Sequence, residues 1–136
     1  MKKFRIIALL SLFAFAFSSC EKEEDFLIGK WNIDKTTTSI YVEDILLQFP
    51  GLTNPSVQTN LGWIEFKEGG SGVDDVGATF TWTLSGDNLT VTDDDGSITM
   101  KLTTKEDEKI VGEWTEVEDV EGVEWSVETI IELSKL

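Results

Sequence analysis

Residues 78 to 102 read Ala78-Thr79-Phe80-Thr81-Trp82-Thr83-Leu84-Ser85-Gly86-Asp87-Asn88-Leu89-Thr90-Val91-Thr92-Asp93-Asp94-Asp95-Gly96-Ser97-Ile98-Thr99-Met100-Lys101-Leu102. Apolar residues alternate with threonines, the period of two that gives a strand one apolar and one polar face. Ser85-Gly86-Asp87-Asn88 and Asp95-Gly96 punctuate the run with turn chemistry. A two-residue turn at Gly86-Asp87 sets Leu84 opposite Leu89 and Trp82 opposite Val91. A second at Asp95-Gly96 sets Val91 opposite Met100 and Leu89 opposite Leu102. All four pairs are apolar, so three consecutive strands are expected to share one buried face.

The same pattern extends in both directions. Trp125, Val127, Thr129, Ile131 and Leu133 alternate with Glu124, Ser126, Glu128, Ile130, Glu132 and Ser134 in a last strand. Lys109 to Val117 forms the strand before it, with Ile110, Gly112 and Trp114 on one side, followed by an acidic loop from Glu118 to Gly122. Towards the N-terminus the strands are Ile28 to Val42, with a break near Thr37, and Leu61 to Glu68, closed by Gly69-Gly70-Ser71-Gly72. Whether Trp63 or Ile64 and Phe66 face inward stays open from the pattern alone. Residues 43–60 interrupt the rhythm: Glu43-Asp44 precedes Ile45, Leu46, Leu47 and Phe49, and Pro50-Gly51 follows. That order predicts a short helix or irregular flap, serving as a plug or as a lid carried by Ile45, Leu46 and Phe49. Seven or eight strands joined as hairpins predict an all-β, antiparallel up-and-down meander closing into a small barrel, which removes exposed edges.

The chain has 136 residues, room for one domain, with 26 acidic and 11 basic side chains, five Trp, one Cys and no His. Without His, the usual general base and the commonest metal ligand are missing, and one Cys forms no internal disulfide. The acidic balance opposes nucleic-acid binding, which requires cations against phosphates. Asp93, Asp94 and Asp95 invite a calcium reading, but they are contiguous where an EF-hand loop needs alternate ligands, and hairpin chemistry already accounts for Asp95-Gly96. Their register aims Asp93 toward the Val91 face, opposite Phe80. Asp74-Asp75 and the acids from Glu116 to Glu124 read as solvated loop and rim charge. No pair of carboxylates is placed in a cleft, so the expectation is a protein that is not an enzyme and carries no metal or other cofactor.

The N-terminus differs in kind. Met1-Lys2-Lys3-Phe4-Arg5 is basic, and Ile6 to Phe17 holds Ser11 as its one polar residue. As a helix this run would span about 18 Å, against a hydrocarbon core of about 30 Å. It reads as a signal peptide over residues 1–19. Phe17-Ser18-Ser19-Cys20 resembles a bacterial lipobox, which implies acylation of Cys20 and anchoring to a membrane through its acyl chains. Residues 20–27 then form an acidic tether, and Lys22, Glu23 and Glu24 resemble the surface-export signal of Bacteroidetes lipoproteins. The expected address is the outer membrane, either displayed on the cell surface or facing the periplasm. Loss of Lys2, Lys3 and Arg5 leaves 8 Lys against 26 acids, a formal charge of -18 on the mature chain.

Gly29-Lys30-Trp31 opens the domain of residues 28–136 and resembles the Gly-x-Trp start of lipocalin-like families. The layout of lipobox, tether, Gly-x-Trp and meander is similar to the small lipocalin-like lipoproteins of Bacteroidetes. That resemblance implies that Trp31 plugs the closed end of a barrel beneath a basic residue near the last strand. The mature chain has no Arg, and Lys135 is the basic residue near that place. It also implies a small apolar or amphipathic ligand in the barrel mouth, with Phe66, Phe80, Trp82, Val91, Met100, Trp114 and Trp125 as candidate pocket residues. Two alternatives stand beside it. One is a filled barrel acting as an accessory or interaction module for an envelope protein partner; the other is a β-sandwich adhesin or carbohydrate-binding module, marked by Trp63 and Tyr41 exposed side by side.

Overall fold

Ten strands follow one another in the computed structural model, which describes residues 24–43, 45–46 and 54–136. They are β1 (Gly29–Val42), β2 (Ile45–Leu46), β3 (Ser56–Thr59), β4 (Trp63–Lys67), β5 (Ser71–Asp74), β6 (Thr79–Ser85), β7 (Asn88–Asp93), β8 (Gly96–Lys105), β9 (Lys109–Val120) and β10 (Val123–Lys135). Antiparallel pairing runs β1-β4-β5-β6-β7-β8-β9-β10, and β10 pairs back onto β1. The result is a closed eight-stranded barrel, and closure excludes the β-sandwich alternative. Consistently, Tyr41 and Trp63 do not meet: Trp63 lies opposite Asn32, nine residues along β1 from Tyr41 and so about 30 Å away.

The β6–β7 hairpin has the register that its pattern predicts, with Trp82 opposite Val91 and Leu84 opposite Leu89. The β7–β8 hairpin differs. Its turn residues are Asp94 and Asp95, so Val91 lies opposite Ile98 and Leu89 opposite Met100. The Asp93 carboxylate decides this. It accepts the backbone N–H groups of Asp95 (2.8 Å) and Gly96 (3.2 Å), closing the turn one residue earlier than Asp95-Gly96 would. Because each partner moves by two residues, every side chain keeps its face. The same bonds give Asp93 a structural task at the tip of the hairpin.

Two further expectations are corrected. Asp74 belongs to β5 rather than to a loop, and its carboxylate accepts the N–H groups of Val76 (3.1 Å) and Ala78 (2.8 Å), turning the chain into β6. Residues 43–60 contain no helix among their described members. β2 folds back on Tyr41 and Val42, and β3 pairs with Lys35 to Thr38. The Asn54 side-chain amide completes that edge by bonding both the N–H (3.2 Å) and the carbonyl (3.0 Å) of Ile40. Unpaired β1 backbone competes successfully with the weak helix signal of two acids. Ile45 is 72% exposed, so it neither plugs nor lids the barrel; Leu46 pairs with Tyr41, and Phe49 lies outside the described residues.

One end of the barrel is filled. Leu27, Trp31, Phe66, Trp82, Leu89, Leu102, Ile110 and Leu133 form the buried core, flanked by Phe80, Val91, Met100 and Ile131. Phe66 packs edge-to-face on both Phe80 and Trp82, at centroid separations of 5.6 and 5.7 Å. This places Phe66 and Ile64 inward and turns Trp63 outward, beneath the Lys30 ammonium at 3.9 Å. Leu27 is wholly buried, so the packed domain takes in the last residues of the expected tether.

The closed end is organised around Trp31. Its indole N–H donates to the Leu27 carbonyl (2.7 Å), and the Lys135 ammonium stands 4.4 Å above its ring while donating to the Ile28 carbonyl (2.5 Å). A Cβ on Gly29 would come within 2.8 Å of the Lys135 Nζ, so the glycine keeps this space open. Burial pushes the Lys135 ammonium below its ordinary value of 10.5, with Asp107 pulling the other way. The native state therefore releases this proton before the unfolded chain does, and this group's contribution to stability rises as pH climbs through the folded value towards 10.5. Side-chain NMR of the lysines, with Lys135→Met for assignment, should place the Lys135 midpoint below 10.5. A midpoint at or above that value would show that the cation is not desolvated there.

Candidate binding site

The strands of the barrel differ in length, and that difference builds the site. β8 pairs with β9 only as far as Lys101 opposite Glu113, whereas β9 continues to Val120 and remains paired with β10 throughout. β10 in turn follows β1 from Trp31 opposite Lys135 to Val42 opposite Trp125. Above the filled core, β9, β10 and β1 therefore project past the rim as a ribbon, widened on the β1 side by β2 and β3. On the other side, β9 beyond Glu113 has no strand partner among the described residues.

Strand alternation fixes which side chains of the ribbon continue the barrel's inner face. From Leu133 and Ile110 in the core, that face climbs β10 through Ile131, Thr129, Val127 and Trp125, and climbs β9 through Gly112, Trp114, Glu116 and Glu118. Cross-strand pairing then sets these residues in rows. Ile40, Val127 and Glu116 make one row, and Val42, Trp125 and Glu118 make the next. Each row is apolar on β1 and β10 and acidic on β9.

A groove of about 400 Å³ lies on this face, lined by Ile40, Glu116, Glu118, Val120, Trp125 and Val127. Its floor is aliphatic and aromatic, and its carboxylates stand along the open side of the ribbon. Neither Glu116 nor Glu118 takes part in an ion pair among the described residues, where the salt bridges are Lys35–Glu132 and Lys105–Asp87. Two other depressions lie elsewhere on the barrel. One, of about 320 Å³, sits in the fork between β8 and β9, bordered by Thr99, Lys101, Glu113, Trp114 and Thr115. The other, of about 540 Å³, lies against β5, β6 and β7, where Val73 and the candidate pocket residue Phe80 share its lining with Lys67, Thr81, Asp93 and Asp94.

The candidate pocket residues do not form one pocket. Phe66 and Trp82 are buried in the core, and the Trp82 indole N–H is bonded to the Ser71 carbonyl (2.8 Å). Phe80, Val91 and Met100 are partly buried against that core. Trp114 borders the fork, and Trp125 alone of the seven lines the groove. Of the apolar residues that join it, Ile40 and Val127 lie on strands that the pattern predicts, whereas Val120 falls in the expected acidic loop and belongs instead to β9. Nothing in the sequence marks the rows they share. Cys20, Lys22 and Glu23 lie outside the described residues; Glu24 opens the turn that leads into Leu27, where its carbonyl accepts the Leu27 N–H (2.9 Å).

The groove offers apolar surface, an indole and two carboxylates. Among the described residues, no group of three His, Cys, Asp or Glu is placed to hold a metal ion. Neither a family model nor a curated protein matches the chain.

Proposed function

We propose that the protein is a lipid-anchored, non-catalytic binding protein of a bacterial cell envelope, and that it takes a small apolar or amphipathic ligand at the open end of its barrel. The groove above the filled core carries this reading. Side chains occupy the closed half, as in the smallest eight-stranded barrels, while the ribbon offers concave apolar surface that the core leaves uncovered. The resemblance of the Gly29-x-Trp31 opening to lipocalin-like families supports it, and the Lys135 ammonium over Trp31 supplies the basic partner which that resemblance implies. Anchoring rests on the basic start, the apolar run and the small residues before Cys20. More than one acyl chain would make it stable, at about 0.8 kcal/mol per buried methylene. The charge of -18 on the mature chain suits a domain held soluble beyond its anchor.

One observation favours a second reading, an interaction module for an envelope protein. Among the described residues, the outer edge of β9 beyond Glu113 pairs with no strand and Val117 is 59% exposed, features that a partner strand could cover. Native mass spectrometry of the protein extracted from its own membrane separates the two readings. Bound small-molecule mass with acyl mass on Cys20 is the expected result; a stoichiometric protein partner with no small molecule supports the module. Cys20→Ala should remove the acyl mass and release the protein to the soluble fraction. Full retention of that variant, with no acyl mass on the wild type, would refute the anchor.

A further inference from the structure

Two features of the groove have different consequences. The apolar floor accounts for affinity towards any hydrocarbon, whereas Glu116 and Glu118 discriminate between ligands. We infer that the groove selects an amphiphile with a cationic head, an ammonium or guanidinium carried on an apolar body. This deepens the ligand-binding reading above and rests on it.

The rows give the reason. A body lying across Ile40 and Val127, or across Val42 and Trp125, reaches the β9 side where Glu116 and Glu118 stand. These two carboxylates share one face two residues apart, about 7 Å along the strand. One cationic head between them would approach both, and the Trp125 ring opposite Glu118 offers a further surface for a cation. An anionic head would meet two like charges. The surroundings reinforce the choice: from Ile110 to Ile131 the chain carries seven acidic residues and no Lys or Arg. β9 carries Lys109 at the closed end, opposite Ser134, and no lysine beyond it; the part of β10 that forms the ribbon supplies none.

The test compares three amphiphiles of equal chain length: dodecylammonium, dodecanoate and an uncharged dodecyl glycol ether. Each is titrated below its micellar concentration at about 0.15 M salt, where exposed charges beyond about 8 Å are largely screened. Tryptophan fluorescence reports binding, and NMR shifts of the Trp125 indole and Val127 methyl groups locate it. Dodecylammonium should bind at least about tenfold more tightly than dodecanoate, with those NMR signals moving, as expected for charge-assisted contacts worth about 1.4 kcal/mol. The double substitution Glu116→Gln/Glu118→Gln should largely abolish the preference. A control pair at the opposite end, Glu106→Gln/Glu108→Gln, changes the net charge equally and should leave it intact.

If the uncharged ether or dodecanoate binds in the groove as well as dodecylammonium does, the cationic preference is wrong and the ligand-binding reading stands. Equal losses in the two double variants would assign the preference to overall charge and likewise overturn the inference. If none of the three amphiphiles moves the groove signals, the binding reading falls with it. The wild-type NMR comparison decides the matter even if the groove variant fails to fold.

Discussion

Trp31→Ala is expected to destabilise the domain by about 3–5 kcal/mol and to lower its thermal midpoint by more than about 10 °C. The indole is wholly buried at the closed end, beside Leu27 in the same core. Truncation removes most of the largest side chain there and opens a cavity. It also strands the Leu27 carbonyl, which accepts the indole N–H, and takes away the ring beneath the Lys135 ammonium. A buried acceptor left without its donor costs about 1–3 kcal/mol. Trp31→Phe separates these contributions, since it refills much of the volume without restoring the N–H, and it should fall between wild type and Ala. Chemical denaturation of all three proteins provides the measurement. A loss below about 1 kcal/mol for Ala would mean that the closed end collapses around the gap and that Trp31 is not its keystone.

Gly72→Ala should have the next largest effect, although it adds a single methyl group. In β5, Gly72 lies opposite Phe66 on one side and Phe80 on the other. A Cβ there would lie 2.2 Å from the Phe80 ring and 2.7 Å from the Glu65 carbonyl oxygen. The backbone contact cannot be relieved by a rotamer change, so β4 and β5 must separate. Overpacking of this kind costs about 1–3 kcal/mol, and the upper half of that range is expected here. Phe80→Leu in the Gly72→Ala background should recover part of the loss, giving a non-additive double-mutant cycle. Strict additivity would place the strain elsewhere than between these two residues. The contrast is Gly112, where an added Cβ would meet the flexible end of the Met100 side chain at 2.7 Å, so Gly112→Ala should cost less.

Gly72 also illustrates why one strand of the barrel escapes a reading of the sequence. Ser71-Gly72-Val73-Asp74 lacks apolar alternation, and a glycine after Gly69-Gly70 looks like turn material. Its place in a strand is earned by the Phe80 ring, which covers the Gly72 backbone where a side chain would otherwise stand. In Trp82 and its neighbours the pattern sufficed, because Leu84, Leu89 and Val91 left one register that buried all of them. Asp93 shifted the next hairpin by two residues because a carboxylate can satisfy turn amides, an effect that hydrophobic pairing does not register. In residues 43–60 the acids suggested a helix start, but the long β1 strand offered unpaired backbone, which β2 and β3 took up.

The groove follows the same logic. Alternation in the chain already made Trp125 and Val127 one side of a strand, because a strand's period of two is local. Glu118, expected to open a loop, shares a face with Glu116 because β9 runs on to Val120. Local pattern likewise made the domain all-β and placed apolar sets on one face. That Ile40, Val127 and Glu116 form one row, and that this row lies above the rim with no strand beyond β9 among the described residues, depends on two non-local facts. One is the register of β10 on both β1 and β9; the other is the end of β8–β9 pairing at Glu113. Register between strands distant in sequence is settled only when the barrel closes, since closure must satisfy every pairing at once. The candidate site therefore arises from closure: local alternation supplied Trp125 and Val127, whereas the register on β1 and the reach of β9 to Val120 brought Ile40, Glu118 and Val120 beside them.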